Sequence, residues 1–201
     1  MMLTMMLPLR RLSCVTLLAG CALLASCASP PLRIYTLSMP SDQPMQPAPL
    51  SAHTPTIGIS LTVLPDYLDS QDIVVRNGEV IVRSPNARWA SRLSLGITDL
   101  ITSQIAHQRP QDLVTDQPLA ETPSLRVQVN IARLDVNASG SATLDANWAV
   151  LPLDPHKPLT QDRVHLSETG DVSTESGVVT LMRKLILTLA DRVNQSIPAQ
   201  Y

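Results

Sequence analysis

The stretch Ile73-Val-Val-Arg-Asn-Gly-Glu-Val-Ile-Val-Arg83, followed by Ser-Pro-Asn-Ala-Arg-Trp-Ala-Ser-Arg-Leu-Ser-Leu-Gly-Ile-Thr-Asp-Leu-Ile-Thr-Ser-Gln-Ile-Ala-His107, decides the fold class. Its first part sets Asn77-Gly78 between two β-branched runs. Both residues tolerate the positive φ that a two-residue hairpin turn needs, so the run reads as a β-hairpin. From Asn86 onward the period changes. Trp89, Leu93, Ile97, Leu100, Ile101 and Ile105 recur at three and four, which predicts a helix over 86–107 with Asn86 as N-cap and Pro110 as its stop. A strand pair feeding a helix within thirty-five residues excludes an all-helical or all-β chain.

Working outward, "TIGISLTVLP" alternates, with Ile57, Ile59, Leu61 and Val63 expected on one buried face. Arg33–Leu37 can form a short strand. Between these stand Pro40, Pro44, Pro47, Pro49 and Pro55, which exclude a helix or an interior strand. "LRVQVNIARLDV" alternates at Leu125, Val127, Val129 and Ile131 and changes phase by Leu134, so a β-bulge is expected near Ala132 and Arg133. Its partner "ATLDANWAV" should send Ala142, Leu144, Ala146, Trp148 and Val150 inward, after a turn over Asn137–Gly140. A further strand is expected near Arg163–Thr169. A second amphipathic helix, Ser176–Ser196, carries Val178, Met182, Leu185, Ile186, Leu189 and Val193 on one side. Strands, helix, strands, helix predicts an α/β or α+β single domain: a mixed, largely antiparallel sheet covered by two amphipathic helices.

At the N-terminus, Arg10 and Arg11 precede the uncharged run Leu12–Ser26, and no acidic residue occurs before Asp42. That run is shorter than the ~20 apolar residues a spanning helix needs, and its order is that of an export signal. Leu18-Ala19-Gly20 precedes Cys21, and Leu24-Ala25-Ser26 precedes Cys27. Both resemble the lipobox of bacterial lipoproteins, whose cysteine becomes the lipidated first residue. Cleavage before Cys27 gives the apolar core Leu12–Leu24 a comfortable length, whereas cleavage before Cys21 leaves it at the short limit of about 7 residues. Cys27 is therefore the expected lipidation site. Cys14 and Cys21 then leave with the signal. The expected divisions are a signal peptide at 1–26, an anchor, first strand and Pro-rich segment at 27–55, and the folded domain at 56–201. If Arg33–Leu37 joins the sheet, about seven residues separate lipid from fold, roughly 23 Å at most. In lipoproteins of bacteria with two membranes, Asp after the cysteine favours retention at the inner membrane. Ala28 stands there instead, which implies the periplasmic face of the outer membrane.

Net charge is −2 for the whole chain and −4 without Arg10 and Arg11, with no block of like charge. This argues against nucleic acid and against a polybasic grip on anionic lipid. There is no Phe, and the aromatic residues are Tyr35, Tyr67, Trp89, Trp148 and Tyr201. His53, His107, His156 and His165 are scattered, and His165 and Glu168 fall on opposite faces of a strand, a poor metal pair. Ser139 and Ser141 lack the glycine-flanked elbow of a nucleophile. Asp66, Asp69 and Asp72 could gather calcium, but the spacing lacks the glycine and distal glutamate of a calcium loop. Asn137 and Asn194 match glycosylation sequons by chance. No catalytic residue, metal site or cofactor is expected.

Leu64-Pro65-Asp66-Tyr67-Leu68-Asp69 and Arg88-Trp89-Ala90 bracket the hairpin. With Tyr35-Thr36-Leu37, the "LDANWAV" strand and the terminal helix, they resemble the PqiC/YmbA-like auxiliary lipoproteins of ABC-type transporters. Ser70-Gln71-Asp72 and Ser91-Arg92-Leu93 depart from the family's usual continuations. The resemblance implies a non-enzymatic subunit of an intermembrane lipid-transport system that supports membrane integrity. Its partner would be a periplasm-spanning protein with mammalian-cell-entry (MCE) domains, and a homo-oligomer stays open. The alternative is a stand-alone periplasmic lipid- or solute-binding lipoprotein; a periplasmic hydrolase would need a cleft with convergent His, Asp or Ser side chains.

Overall fold

In a computed structural model of the chain, residues 30–38, 51 and 54–201 are described. Cys14, Cys21, Cys27, His53 and most of the proline-rich stretch lie outside them. Two compact units are present, Met1–Leu32 and Arg33–Tyr201. Of the first, only residues 30–32 are described, without regular secondary structure. The second runs β1 (Arg33–Tyr35), β2 (Thr56–Ile59), β3 (Asp72–Asn77), β4 (Val80–Trp89), α1 (Leu93–Gln108), β5 (Leu113–Thr115), β6 (Leu125–Val136), β7 (Ser141–Pro152), β8 (Thr160–Thr169) and α2 (Glu175–Ser196).

The strands form two sheets, ordered β1-β4-β3 and β5-β2-β6-β7-β8. Parallel pairing joins β1 to β4 and β2 to both β5 and β6. The longer ladders, β3–β4, β6–β7 and β7–β8, are antiparallel. Among the described residues the fold is therefore mixed α/β with two helices, and the Tyr35 segment does join a sheet.

The hairpin forms, but its turn lies one residue later than the Asn-Gly pair suggests. Asn77 pairs with Val80, leaving Gly78-Glu79 as the two-residue loop. Gly78 has φ 60, and no non-glycine residue described has positive φ. Glycine alone in the first loop position is the requirement of a type II′ turn, so Asn77 remains in the strand.

Helix α1 begins at Leu93 rather than Asn86, and Arg92 occupies the N-cap position. Residues Ala87, Arg88 and Trp89 instead pair with Arg33, Ile34 and Tyr35 of β1. Tertiary pairing thus overrides the helical spacing that starts at Trp89. In β4, Arg83 pairs with Val74 and Arg88 with Asp72, so Ser84–Ala87 bulge from the ladder. A second departure concerns Leu61 and Val63, which are exposed, while Thr62 points inward. The chain leaves the ladder after Ile59 and returns through a bridge from Val63 to Asn130. The Thr62 N–H donates to Thr98 Oγ1 of α1 at 2.9 Å, and that inward turn reverses the facing of its neighbours.

The register shift between Ile131 and Arg133 is the expected bulge at Ala132. Leu125, Val127, Val129, Ile131, Leu134 and Val136 are all buried, as are all five inward positions predicted for β7. Helix α2 starts from Thr174, whose hydroxyl accepts from Gly177 N–H. Its predicted apolar stripe is buried with Leu93, Ile97, Leu100, Ile101 and Ile105 of α1 in one aliphatic core. Trp148 fits this core because its indole N–H finds Ser196 Oγ at 3.0 Å. Among the described residues no helix is long and apolar enough to cross a membrane.

Candidate functional site

The two sequence elements that bracket the hairpin meet at the start of α1. Leu64 and Leu68 are buried, and Pro65 O accepts the N–H groups of Leu68 and Asp69, closing a tight turn between them. That turn carries Asp69 to the helix, where its Oδ1 accepts Ser94 N–H at 3.1 Å. Ser70 O takes the Leu93 N–H at 3.1 Å. Arg92 makes no side-chain cap bond of its own and instead reaches Asp69 Oδ2 at 3.5 Å. A carboxylate here satisfies orphan N–H groups and meets the positive end of the helix dipole. Asp69→Ala is expected to destabilise the fold by about 1–2 kcal/mol, read as a lower urea midpoint at unchanged slope.

Arg88 serves the bulge of β4. Its Nη1 donates to Ser84 O at 2.5 Å and to Ala87 O at 2.7 Å, while Nε pairs with Asp72 at 3.1 Å. Arg83 reaches the other Asp72 oxygen at 3.2 Å. The neighbouring Trp89 side chain is buried. On the same hairpin face, Arg76 lies 3.0 Å from Asp135 and 5.9 Å from the Tyr67 ring centre, and the Tyr67 hydroxyl is 3.4 Å from Asp135. Partial burial, and then the charge of Asp135, push the Tyr67 phenol above its ordinary range. This cluster, with Ala138 N–H donating to Arg76 O, braces the hairpin against the end of β6.

The three clustered aspartates are thus dispersed: Asp69 caps a helix, Asp72 sits between two arginines, and Asp66 is exposed. Among the described residues, no group of three or more His, Cys, Asp or Glu could hold a metal. His107 and His156 are exposed at a helix end and a turn. His165 and Glu168 do face opposite ways, pairing with Asp145 and Lys184 respectively. The hydroxyl oxygens of Ser139, in the β6–β7 turn, and Ser141, the first residue of β7, lie 3.3 Å apart.

One face of the five-stranded sheet is covered by the helices. The other carries an open cleft of about 840 Å³. Cross-strand rows build its floor: Val63, Asn130, Asn147 and Arg163 in one, Gln128, Ala149 and Gln161 in the next. These four carboxamides offer donors and acceptors side by side, with the exposed Leu61 and Val63 at one margin. The next row is charged. Asp145 Oδ1 lies 2.5 Å from His165 Nδ1, and Oδ2 lies 3.0 Å from Arg133 Nε.

The His165 hydrogen bond, followed by the Arg133 charge, holds the Asp145 carboxyl below its usual range. A folded-state value below the unfolded one adds stability above the unfolded value of about 3.9, and that contribution disappears as pH falls through the lower folded value. Asp145→Asn should therefore lose stability relative to wild type at neutral pH and converge with it in acid, in thermal melts from pH 7 to pH 2. Solvent screening keeps the effect small, since the carboxylate is one-third exposed.

The amide face was not singled out from sequence, although its signal was present. Gln128 and Asn130 on β6 and Asn147 on β7 occupy outward positions where charged residues are the ordinary choice for a solvated face. Arg109, also unmarked by any motif, joins the two helix ends. Its guanidinium reaches Asn194 Oδ1 at 2.6 Å, Ile197 O at 2.7 Å, and Asp112 and Pro198 O at 3.3 Å.

No curated protein matches the chain. Among solved structures, the crystal structure of an uncharacterized protein is similar with a TM-score of 0.68 at 16% identity, covering 84% of this chain and 100% of that one. A crystal structure from Xanthomonas campestris is similar with a TM-score of 0.59 at 12% identity, covering 74% of this chain and 87% of that one. At such identities these likenesses show the fold alone. Residues 35–194, from Tyr35 through the helix-capping Asp69, the Arg88-Trp89-Ala90 element and most of α2, match the family described as the ABC-type transport auxiliary lipoprotein component. The chain belongs to this family of transport auxiliary lipoproteins.

Proposed function

We propose that this protein is the outer-membrane subunit of an MCE-type intermembrane lipid-transport system, anchored through acyl chains, palmitate among them, on Cys27. Its task is to hold the far end of the periplasm-spanning partner at the membrane, without catalysis. The observation that carries the reading is the position of the lipobox-like stretch ending at Cys27 shortly before a domain of the auxiliary-lipoprotein family. Several acyl chains on one cysteine give stable anchoring, since each buried methylene contributes ~0.8 kcal/mol. Ala28 after that cysteine supports outer-membrane sorting. The carboxamide face of the five-stranded sheet fits a protein-docking role, because its hydrogen-bonding groups face outward over a broad, open area rather than into a closed pocket.

Affinity purification of the detergent-extracted full-length protein tests the proposal, with intact-mass measurement and separation of inner from outer membranes. Wild type should carry acyl mass, fractionate with outer membranes and bring down an MCE-domain protein. Cys27→Ala should lose the acyl mass and the membrane fraction, while Cys21→Ala keeps both. Acylation at Cys21, inner-membrane fractionation, or co-purified lipid without a protein partner would each contradict the corresponding part.

A further inference from the structure

The hairpin ends in an apolar strip that the body of the protein does not cover. Val75 pairs with Val82 and Asn77 with Val80, which puts these residues on one face together with Ile73. Ile73 is buried in the core, Val75 is half-buried, and Val82 and Val80 are 49% and 62% exposed. The core face of the hairpin therefore continues past the body and emerges bare at its tip. The opposite hairpin face is braced by the Tyr67–Arg76–Asp135 cluster and by the backbone bond to Ala138. That brace holds the overhang in place.

Strand direction says what lies beyond the tip. Strands β1 and β4 are parallel neighbours, with Arg33 opposite Ala87. The N-terminal end of β4 is the hairpin tip, so the N-terminal end of β1 points the same way. Val80 lies seven residues before Ala87, at most about 23 Å along the strand. Cys27 lies six residues before Arg33, at most about 22 Å even if fully extended. A bilayer holding the acyl chains is thus within reach of the overhang. The tip's charged groups do not supply a basic grip: Arg76 and Arg83 are paired with Asp135 and Asp72, and Glu79 stands in the turn.

We infer that the Val75–Val82–Val80 strip at the hairpin tip is a second, apolar membrane contact, resting on the lipid surface in which Cys27 is anchored. The inference rests on the Cys27 anchor proposed above. It adds a contact that fixes the orientation of the domain on its tether, with the strip reaching no deeper than the headgroup boundary. An apolar contact without a basic patch is insensitive to ionic strength.

The test uses the full-length acylated protein in vesicles of phosphatidylethanolamine and phosphatidylglycerol, with acylation verified by intact mass. An environment-sensitive fluorophore is placed at Val80→Cys. The control is Leu159→Cys, a comparably exposed leucine in the β7–β8 connection, at the other end of β7 from the Asn137–Gly140 turn beside Arg76. The expected result is a blue shift and quenching by doxyl-labelled lipid at position 80 and neither at 159, unchanged in high salt. A water-exposed probe at 80 on acylated, vesicle-bound protein would overturn the contact and leave the anchor standing. Absence of acyl mass would overturn both. An equal blue shift without vesicles, accompanied by self-association in sedimentation, would assign the strip to a second copy of the chain and overturn the lipid contact.

Discussion

Trp89→Ala is expected to lower the free energy of unfolding by about 3–5 kcal/mol, the largest effect of any substitution in the two bracketing elements. The indole is 3% exposed within the aliphatic core, and its backbone lies between β1 and the N-terminal approach to α1. Trp89 N–H donates to Gln71 O at 2.7 Å, and Ala90 N–H donates to Tyr35 O at 2.8 Å. Deleting the ring leaves a large cavity at the one place where both bracketing elements and the first strand converge. Trp89→Phe refills part of it and should recover part of the loss. Urea unfolding followed by circular dichroism measures the effect. A loss of partner binding at unchanged stability would instead make Trp89 a recognition residue.

Arg109→Ala should cost about 2–4 kcal/mol. Its guanidinium is 16% exposed and its partner Asp112 is 13% exposed. Removing the arginine leaves Asp112 without its ion pair. It also frees carbonyls at the end of α2, where Ile197 O and Pro198 O have this side chain as a donor. Tyr201 supplies no replacement charge: burial, and then the charge of Asp112, push its phenol far above the ordinary range, so the ring stays neutral beside the carboxylate. Arg109→Lys should recover little, because a compact ammonium cannot reach five acceptors as the planar guanidinium fork does. Differential scanning calorimetry reads the result as a lower Tm, and a lysine variant as stable as wild type would contradict the forked arrangement.

Much of the architecture was legible wherever a side chain's fate depends on its own strand or helix. The alternation in β6 and β7, the bulge at Ala132 and the stripe of α2 follow from periodicity against a single covered sheet face. Legibility failed where distant segments set the local state. Trp89 lies four residues before Leu93 and reads as the first turn of a helix, yet pairing with Tyr35 makes it the last residue of β4. The cap of α1 was sought at Asn86, whereas the oxygen that accepts Ser94 N–H belongs to Asp69, twenty-five residues earlier. Alternation runs through Leu61 and Val63 and so marks them as core residues, but Thr62 turns inward to Thr98 and leaves both exposed. The strand Leu113–Thr115 is too short to leave a pattern.

The functional surface was less legible than the fold for a related reason. Nothing in Gln128, Asn130, Asn147 or Gln161 is unusual alone, and only the register of three neighbouring strands brings them together. The elements that carry the resemblance are architectural among the described residues: Asp69 caps, Arg88 stitches the β4 bulge, Trp89 fills the core and Tyr67 braces the hairpin. Residues that carry the resemblance therefore build the scaffold, and the surfaces proposed for docking lie elsewhere on it.

Titration of the purified acylated protein with the purified periplasmic region of the proposed MCE-domain partner, followed by analytical ultracentrifugation, tests the central claim most directly. The account predicts a saturable complex that survives Cys27→Ala in solution and is weakened at least tenfold by paired substitutions on the amide face, such as Asn130→Trp with Asn147→Trp, at unchanged Tm. Absence of a complex, with phospholipid bound stoichiometrically to the lipoprotein alone, would contradict it and favour a stand-alone lipid carrier.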